Sequence, residues 1–274
     1  MVDGRLIITG HNGFVGKRLV QMADLQGFKV RTVEGNLLDE LIIKKLSDNI
    51  SDKDVLVHLA GGFFGSEDEI IQKNASVSLM VSKILSKKPN VKVIISSTGA
   101  VYGNSGADPI NESTSLNPNT LYGLAKKWGE EAFKMQMKHP LKKLTIFRLP
   151  SLYGPNNELG VIARWIDSIK KTKGIILHGS GDQKRSFLHV DDLCNAILAN
   201  AQSDIVGTFN LSEFDYYSLA DIVQVLKSHT SVNVKVVPAE NSLESMILDP
   251  ELYCSMTGWR PSHNVKDFIG SHFD

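Results

Sequence analysis

The chain has 274 residues, of which 42% are hydrophobic and 22% charged, and its thirty basic residues balance thirty acidic ones. These ordinary globular values give no support to nucleic acid or an anionic membrane surface as a partner. No apolar run approaches the roughly 18 residues that a membrane-spanning helix needs. The two cysteines, Cys194 and Cys254, form no metal or redox motif. We therefore expect a soluble protein of the reducing cytoplasm.

The first predicted element is a short apolar strand, Arg5 to Thr9, followed by a glycine-rich turn and a helical pattern from Lys17 to Leu25. The turn carries Gly10, Gly13 and Gly16 in the spacing G-x-x-G-x-x-G. Such glycines permit a tight turn, a close approach of the backbone to a pyrophosphate, and phosphate contacts at the helix start. We therefore predict a dinucleotide-binding turn, with a plain strand–helix connection as the alternative.

The second predicted strand, Lys29 to Val33, ends at Glu34, roughly 20 positions beyond the glycines. An acidic residue at this place can accept hydrogen bonds from the adenosine ribose hydroxyls and would repel a 2′-phosphate. Glu34 therefore favours NAD over NADP as the cofactor. Arg31 is close by, and Glu34 could equally be a solvated turn residue, so NADP stays possible.

Two further strands and a long helix follow. The strand from Asp54 to Leu59 runs into Gly61, and the strand from Val91 to Ser97 comes later. Between them, the helix from about Glu67 to Leu85 carries Asn74. Alternating strands and helices predict an α/β fold with a doubly wound parallel sheet of the Rossmann type, in which ligands bind beyond the carboxyl ends of the strands.

Tyr122 and Lys126 lie four residues apart on a predicted helix that begins after Asn117 and Pro118. Residues at this spacing share one helix face, about one turn apart. A phenol has a pKa near ~10, and a fixed cation beside it favours the phenolate. The pair therefore predicts a device for proton transfer, although the same spacing also occurs by chance on exposed helices.

The second half of the chain begins with a strand, Leu144 to Arg148, and a helix, Val161 to Lys171. Asp191 and Asp192 are predicted to be the cap and first-turn acid of a helix that ends at Ala201. We predict a dinucleotide-binding domain from residues 1–154 and about 186–211. A smaller C-terminal α+β substrate lobe would comprise 155–185 and 212–274.

Taken in order, these motifs resemble the extended short-chain dehydrogenase/reductase family, in its group of nucleotide-sugar epimerases and dehydratases. The resemblance covers nearly the whole chain. The segments that carry it are Thr9-Gly-His-Asn-Gly-Phe-Val-Gly16, His58-Leu-Ala-Gly61, Ser96-Ser-Thr-Gly-Ala-Val-Tyr-Gly103, Tyr122 with Lys126, Arg148-Leu-Pro-Ser-Leu-Tyr-Gly-Pro155, and Arg185-Ser-Phe-Leu-His-Val-Asp-Asp192.

The resemblance implies roles for individual residues. Tyr122, Lys126 and Thr98 would be catalytic, with Lys126 lowering the pKa of Tyr122 and binding the nicotinamide ribose. Arg185, together with Thr98, would bind a nucleotide-diphosphate sugar, whereas His189 would be structural. The long helices after Gly65 and Asn117 would pair in a homodimer. Cofactor contacts would come from Gly10, Asn12, Gly13, Phe14, Val15, Gly16, Glu34, Asn36, Leu37, Leu59, Ala60, Gly61, Asn74, Tyr122, Lys126 and Leu149.

The sequence also narrows the reaction. The dehydratases of the group carry an Asp-Glu pair just after the catalytic threonine and the decarboxylases a glutamate, but this chain has Gly99 and Ala100. An epimerase acting at the sugar C4, like a UDP-glucose 4-epimerase, is our preferred interpretation. The abbreviated segment from Glu34 to Asp39 favours the alternative, a reductase of nucleotide 4-keto-6-deoxysugars. A non-catalytic NAD(P)-binding sensor is a third hypothesis, less favoured because Tyr122 and Lys126 are both kept.

Overall fold

The computed structural model describes residues 4–88, 90–104, 109–137, 143–238 and 245–273, apart from the side chain of Ser86. The strands are β1 (Leu6–Thr9), β2 (Val30–Thr32), β3 (Val55–His58), β4 (Lys92–Thr98), β5 (Lys143–Leu149), β6 (Ser151–Tyr153), β7 (Gly174–His178), β8 (Lys184–His189), β9 (Gly207–Asn210), β10 (Tyr216–Ser218) and β11 (Asn233–Val237). The α-helices are α1 (Phe14–Leu25), α2 (Glu40–Asn49), α3 (Glu67–Ile71), α4 (Val77–Ile84), α5 (Leu121–Gln136), α6 (Val161–Thr172), α7 (Val190–Ala201), α8 (Leu219–His229), α9 (Glu251–Thr257) and α10 (Val265–Gly270). A π-helical turn, Gln72–Ser76, joins α3 to α4.

The first of two compact units holds a six-stranded sheet in the order β2-β1-β3-β4-β5-β9. The pairs β1–β2, β1–β3 and β3–β4 are parallel. All four residues of β1 and of β3 are buried, as apolar runs in a sheet covered on both faces require. On one side the core gathers Leu46 of α2, Val81 of α4 and Phe133 of α5. The predicted α/β fold with a doubly wound sheet is confirmed.

The strand order places the carboxyl end of β1 at a point where the winding of the sheet reverses. The chain passes from β1 outward to β2 and then returns to β3 on the other side of β1. Ligands of such sheets bind at this reversal. Within the described residues no strand lies beyond β2. The segment from Glu34 to Asp39 is instead a tight turn, in which Asn36 accepts a hydrogen bond from the Leu38 amide at 3.0 Å and Asp39 caps α2.

The second unit comprises residues 106–111, 149–193 and 210–274, as far as they are described. It holds a three-stranded sheet, β10-β8-β6, and a parallel pair, β11–β7. Its core packs Trp165 and Ile169 of α6 with Phe187 of β8 and Ile222 of α8. The domain boundaries predicted at residues 154, 185 and 211 stay a prediction.

One prediction about a helix start needs correction. Helix α7 begins at Val190, so Asp191 and Asp192 both lie in its first turn and Asp191 is not the N-cap. The Asp191 amide donates a hydrogen bond to Nδ1 of His189 at 3.2 Å. A ring nitrogen thus accepts from an N-terminal amide that an aspartate cap would otherwise satisfy.

Candidate active site

The predicted catalytic residues Thr98, Tyr122 and Lys126 come together in the first unit. Thr98 ends β4, and Tyr122 and Lys126 lie in the first two turns of α5. The helix begins there because the Thr120 side chain accepts a hydrogen bond from the Gly123 amide at 3.1 Å. The Tyr122 phenol is hydrogen-bonded to Thr98. The two hydroxyls therefore stand side by side at the carboxyl edge of the sheet.

Gly123 allows this contact between helix and strand. A Cβ at this position would lie 2.4 Å from the carbonyl oxygen of Ala100, far inside van der Waals contact. The first turn of α5 can therefore lie directly against the 3-10 turn that follows Thr98. On its other side, the Tyr122 ring meets the edge of Phe63, with ring centroids 6.0 Å apart.

The protonation of Tyr122 differs from the sequence prediction. Burial raises the pKa of Tyr122 to about 12, and the hydrogen bond with Thr98 opposes this only in part. Lys126 was expected to lower that pKa, but its ammonium group donates to the carbonyl oxygen of Ser96 at 2.6 Å. Desolvation of the phenol therefore sets the direction of its pKa shift, although Lys126 lies on the same helix face. At neutral pH Tyr122 is a phenol, ready to donate a proton.

Lys126 is itself perturbed. Burial lowers the pKa of its ammonium group to about 8, and the charge of Glu130 acts in the opposite direction. Glu130 lies one turn further along α5 and is only 1% exposed. Sequence reasoning missed this residue, although its spacing of four from Lys126 would have placed it on the same helix face.

The glycine turn after β1 is packed so closely that side chains are excluded from two of its positions. Gly10 has φ 75°, and a Cβ there would lie 2.6 Å from the amide nitrogen of Ala60. A Cβ on Gly16 would lie 2.2 Å from the carbonyl oxygen of Gly10. Gly13 is the N-cap of α1 and is exposed, and no side chain caps its amides. The turn therefore presents bare backbone at the start of α1.

Two polar side chains flank this turn. Nε2 of His11 lies 2.8 Å from Oε1 of Glu34, whose side chain is 72% exposed. Nδ1 of His11 is buried, with no hydrogen-bond partner among the described residues. Glu34 therefore stands beside the glycine turn, where the ribose contact was predicted. Asn12 is exposed nearby, and Phe14 and Val15 are partly buried in the first turn of α1.

Asn74 and Gly61 organise the segment after β3. The Asn74 amide group, 1% exposed, donates to the carbonyl oxygens of Gly62 at 2.6 Å and Ile70 at 2.8 Å. It can do so because it lies in the π-helical turn, a distortion that often marks functional sites. A Cβ on Gly61 would lie 3.6 Å from Nζ of Lys126. The backbone of this segment therefore passes next to Lys126.

The remaining predicted cofactor contacts of the first unit follow β2 and β3. Asn36 is exposed in the turn before α2, and Leu37 beside it is buried. Leu59 continues the ladder of the sheet past β3, because its amide donates to the Thr9 carbonyl oxygen at 3.1 Å. Ala60 follows, and its amide nitrogen is the atom that a Cβ on Gly10 would approach to 2.6 Å. Their roles in binding the cofactor stay predictions.

The second unit carries the other predicted positions. Leu149 is buried at the end of β5. Arg185 is partly buried in β8, where burial lowers its pKa and one guanidinium nitrogen donates to the carbonyl oxygen of Lys184 at 3.2 Å. His189 is buried and stacks on His263, with ring centroids 3.9 Å apart. The diphosphate contact of Arg185 and the structural role of His189 stay predictions.

Residues 6–212 match the model of the NAD dependent epimerase/dehydratase family. The chain belongs to this family. "Putative UDP-glucose 4-epimerase" from Methanocaldococcus jannaschii is 26% identical over 96% of this chain and 95% of the relative. The dTDP-4-dehydro-6-deoxyglucose reductase of Escherichia coli is also 26% identical, over 96% and 95%. The solved structure of MoeE5 with UDP-glucuronic acid and NAD shares the fold at 21% identity, with a TM-score of 0.87 over 97% of this chain and 96% of that one.

As a member of the epimerase/dehydratase family, the chain is an NAD-dependent enzyme, and its residues fit the cofactor. The glycine turn offers bare amides at the start of α1 and has no acidic residue in the first helical turn to repel a pyrophosphate. The orphaned Nδ1 of His11 adds a polar atom that a ligand can satisfy. In the part of the chain that the structure describes, no helix has the length and hydropathy to span a membrane.

Proposed function

We propose that this enzyme is a nucleotide-sugar 4-epimerase. The observation that supports this most is the hydrogen-bonded pair of Thr98 and Tyr122, with the Lys126 ammonium beside it, at the edge of the sheet where the glycine turn lies. Such a group of residues can hold one sugar hydroxyl and move its proton. The relative from Methanocaldococcus jannaschii, similar along nearly the whole chain, supports the same reaction.

In this proposal Tyr122, in its phenolate form, takes the proton of the C4 hydroxyl and later returns it to the oxygen of the C4 ketone, after the sugar has turned its other face toward the cofactor site. The Thr98 hydroxyl binds the same oxygen and keeps it within reach of the phenol. Lys126 stabilises the phenolate during the step in which Tyr122 is deprotonated. NAD, when bound, supplies the hydride acceptor at C4 and the hydride donor for the return. Arg185 would bind the diphosphate of the substrate through charge-assisted hydrogen bonds.

The residues that follow Thr98 support epimerisation over elimination. Gly99 and Ala100 form a 3-10 turn, held by the Ala100 amide donating to the Thr98 hydroxyl at 3.2 Å. Neither side chain can act as an acid or a base. Removing water across the sugar ring would require such groups beside the catalytic threonine.

The second candidate is a reductase of nucleotide 4-keto sugars, which exchanges its cofactor after each turnover. Two observations favour it. The edge position of β2 leaves only a tight turn before α2, and Tyr122 is a proton donor at neutral pH. The reductase of Escherichia coli is similar over 96% of the chain.

The deciding experiment has two readouts. Purified protein is analysed for bound cofactor by mass spectrometry and is incubated with UDP-glucose or UDP-galactose to follow their interconversion. Retained NAD and interconversion support the epimerase. An empty site together with consumption of NADPH and a 4-keto sugar would establish the reductase instead.

We further propose a cytoplasmic homodimer. Cys194 and Cys254 are both buried and form no disulfide, as in proteins of a reducing compartment. Helices α4 and α5 expose the large apolar side chains of Leu79, Trp128 and Met135. Such side chains on adjacent helices are suited to a contact between two copies.

A further inference from the structure

The helix face that carries Tyr122 and Lys126 continues to Glu130, which is buried. Its carboxylate accepts hydrogen bonds from Arg148, at 3.1 Å from Nε and 2.7 Å from Nη2, and from the Ser97 hydroxyl at 2.5 Å. Arg148 is also buried, and its third nitrogen donates to the Tyr102 hydroxyl at 2.9 Å. A carboxylate in such a place is strongly destabilising unless it is paired and hydrogen-bonded, as it is here.

This network joins α5 to the end of β4. Ser97 lies between the Ser96 carbonyl, which accepts from Lys126, and Thr98, which is bonded to Tyr122. Three successive strand residues are therefore each tied to one residue of α5. The carboxylate occupies the innermost of these contacts, so a shift there would move the other two.

Glu130 also provides a negative charge that acts on the Lys126 ammonium group. Burial opposes its ionisation, but the hydrogen bonds and charge of Arg148 hold its pKa below the ordinary value. Burial lowers the pKa of Lys126 to about 8, and the Glu130 charge resists this. From β3, His58 faces the same amine, but burial and Lys126 lower its pKa to about 3, so it is neutral. Tyr122, with a pKa of about 12, is neutral as well.

We propose that Glu130 is a positioning residue of the reaction, which acts through Lys126 by holding it as the ammonium ion and by fixing α5 against β4. Arg148 and Ser97 keep the carboxylate ionised and in place, and the partly exposed Lys134 ammonium also donates to its Oε2 at 3.3 Å. The catalytic consequence rests on the proposed function. The charge state of Lys126 does not, and it can be measured without any turnover.

The test replaces the carboxylate by an amide of the same shape, Glu130→Gln. The reactivity of the Lys126 amine toward acetic anhydride is followed against pH by mass spectrometry, in parallel with the pH–rate profile. We expect Lys126 to become reactive at a pH lower than in wild type by on the order of one unit. The alkaline loss of activity should move by the same amount. An unchanged labelling midpoint would overturn the proposal.

Two further variants guard against a general folding defect. Glu130→Asp keeps the charge and should keep the wild-type midpoint, even with a lower rate. The double variant E130Q/R148Q leaves no unpaired buried charge, so it should fold and still show the lower midpoint. A wild-type midpoint in the double variant would contradict the proposal. A shifted midpoint in the variants, together with wild-type protein that converts no nucleotide sugar, would instead reject the proposed function alone.

Discussion

At the scale of single residues, the site depends on a competition between desolvation and charge. The same burial that keeps Tyr122 protonated also weakens the ammonium form of Lys126. The buried carboxylate of Glu130 opposes the effect on Lys126, and the Thr98 hydroxyl opposes the effect on Tyr122. Phenol and ammonium therefore coexist below about pH 8, where Lys126 keeps its proton, and proton donation by Tyr122 is possible throughout that range.

The tyrosine itself provides the first prediction. Tyr122→Phe removes the hydroxyl that moves the proton and should lower kcat for UDP-sugar conversion by about 10²–10⁴-fold. Tyr216→Phe is the matched control, because Tyr216 is 44% exposed and lies outside the proposed machinery. Steady-state rates of both variants check this. Undiminished turnover of Tyr122→Phe would exclude the role given to its phenol.

The pH dependence provides the second prediction. Reduction of a 4-keto sugar needs Tyr122 as phenol and Lys126 as ammonium, and both forms are present below pH 8. Because the pKa of Lys126 is lowered to about 8, the rate should be level below that pH and fall above it. Oxidation needs the phenolate and should rise until about pH 8. Stopped-flow measurements of each half-reaction test this, and an alkaline rise in the reduction rate would contradict it.

At the scale of elements, close contacts between backbones place the proposed catalytic residues. Helix α5 touches the turn after β4 at Gly123, and the turn after β1 touches the segment after β3 at Gly10. Each contact brings a helix start or a strand end within reach of the same sheet edge. The arrangement therefore depends on the absence of a Cβ at a few positions, in addition to side-chain contacts such as those of Glu130.

Gly16→Ala tests this dependence. Its Cβ would lie 2.2 Å from the Gly10 carbonyl oxygen, so the turn must shift. We expect a loss of about 1–3 kcal/mol in unfolding free energy, as for other overpacked sites, and a weakened affinity for NAD. Gly174→Ala is the control, since its Cβ would meet nothing closer than 3.5 Å. Calorimetric titration with NAD and thermal unfolding report the two effects, and wild-type NAD affinity in Gly16→Ala would be the contrary result.

At the scale of the whole molecule, α4 and α5 expose large apolar side chains on the surface of the first unit. Trp128 is 47% exposed and Met135 64% exposed, although both lie on a helix whose other face is deeply buried. Covering apolar area of this kind with a second copy is favourable, because it removes the area from water.

Trp128→Glu should therefore convert a dimer into monomers, because it places a charge in the proposed contact. Light scattering coupled to size-exclusion chromatography measures the mass directly. Leu25→Glu is the control, since Leu25 is 85% exposed and lies on α1 outside this face. A monomeric wild-type protein at micromolar concentration would refute the homodimer.

The sequence by itself determined the fold class and the glycine turn, and it singled out Thr98, Tyr122 and Lys126 as candidate site residues. These inferences use local periodicity, glycine spacing and an ordered set of motifs, none of which requires knowledge of distant contacts. The limits of the strands that were predicted agree with the structure within a residue or two, because buried strands are continuous apolar runs. The short strands β6 and β10 and the strand β8 were not predicted.

Only the tertiary structure decided the electrostatics of the site. The spacing of Tyr122 and Lys126 indicated a lowered phenol pKa, yet burial raises it, because desolvation depends on what packs around the ring. The partnership of Glu130 with Arg148 and Ser97 joins residues far apart in the chain. The N-terminal turn of α7 likewise uses His189 rather than an aspartate cap. Protonation state, burial and long-range pairing are properties of the folded molecule, and they cannot be derived from the spacing of residues along the chain.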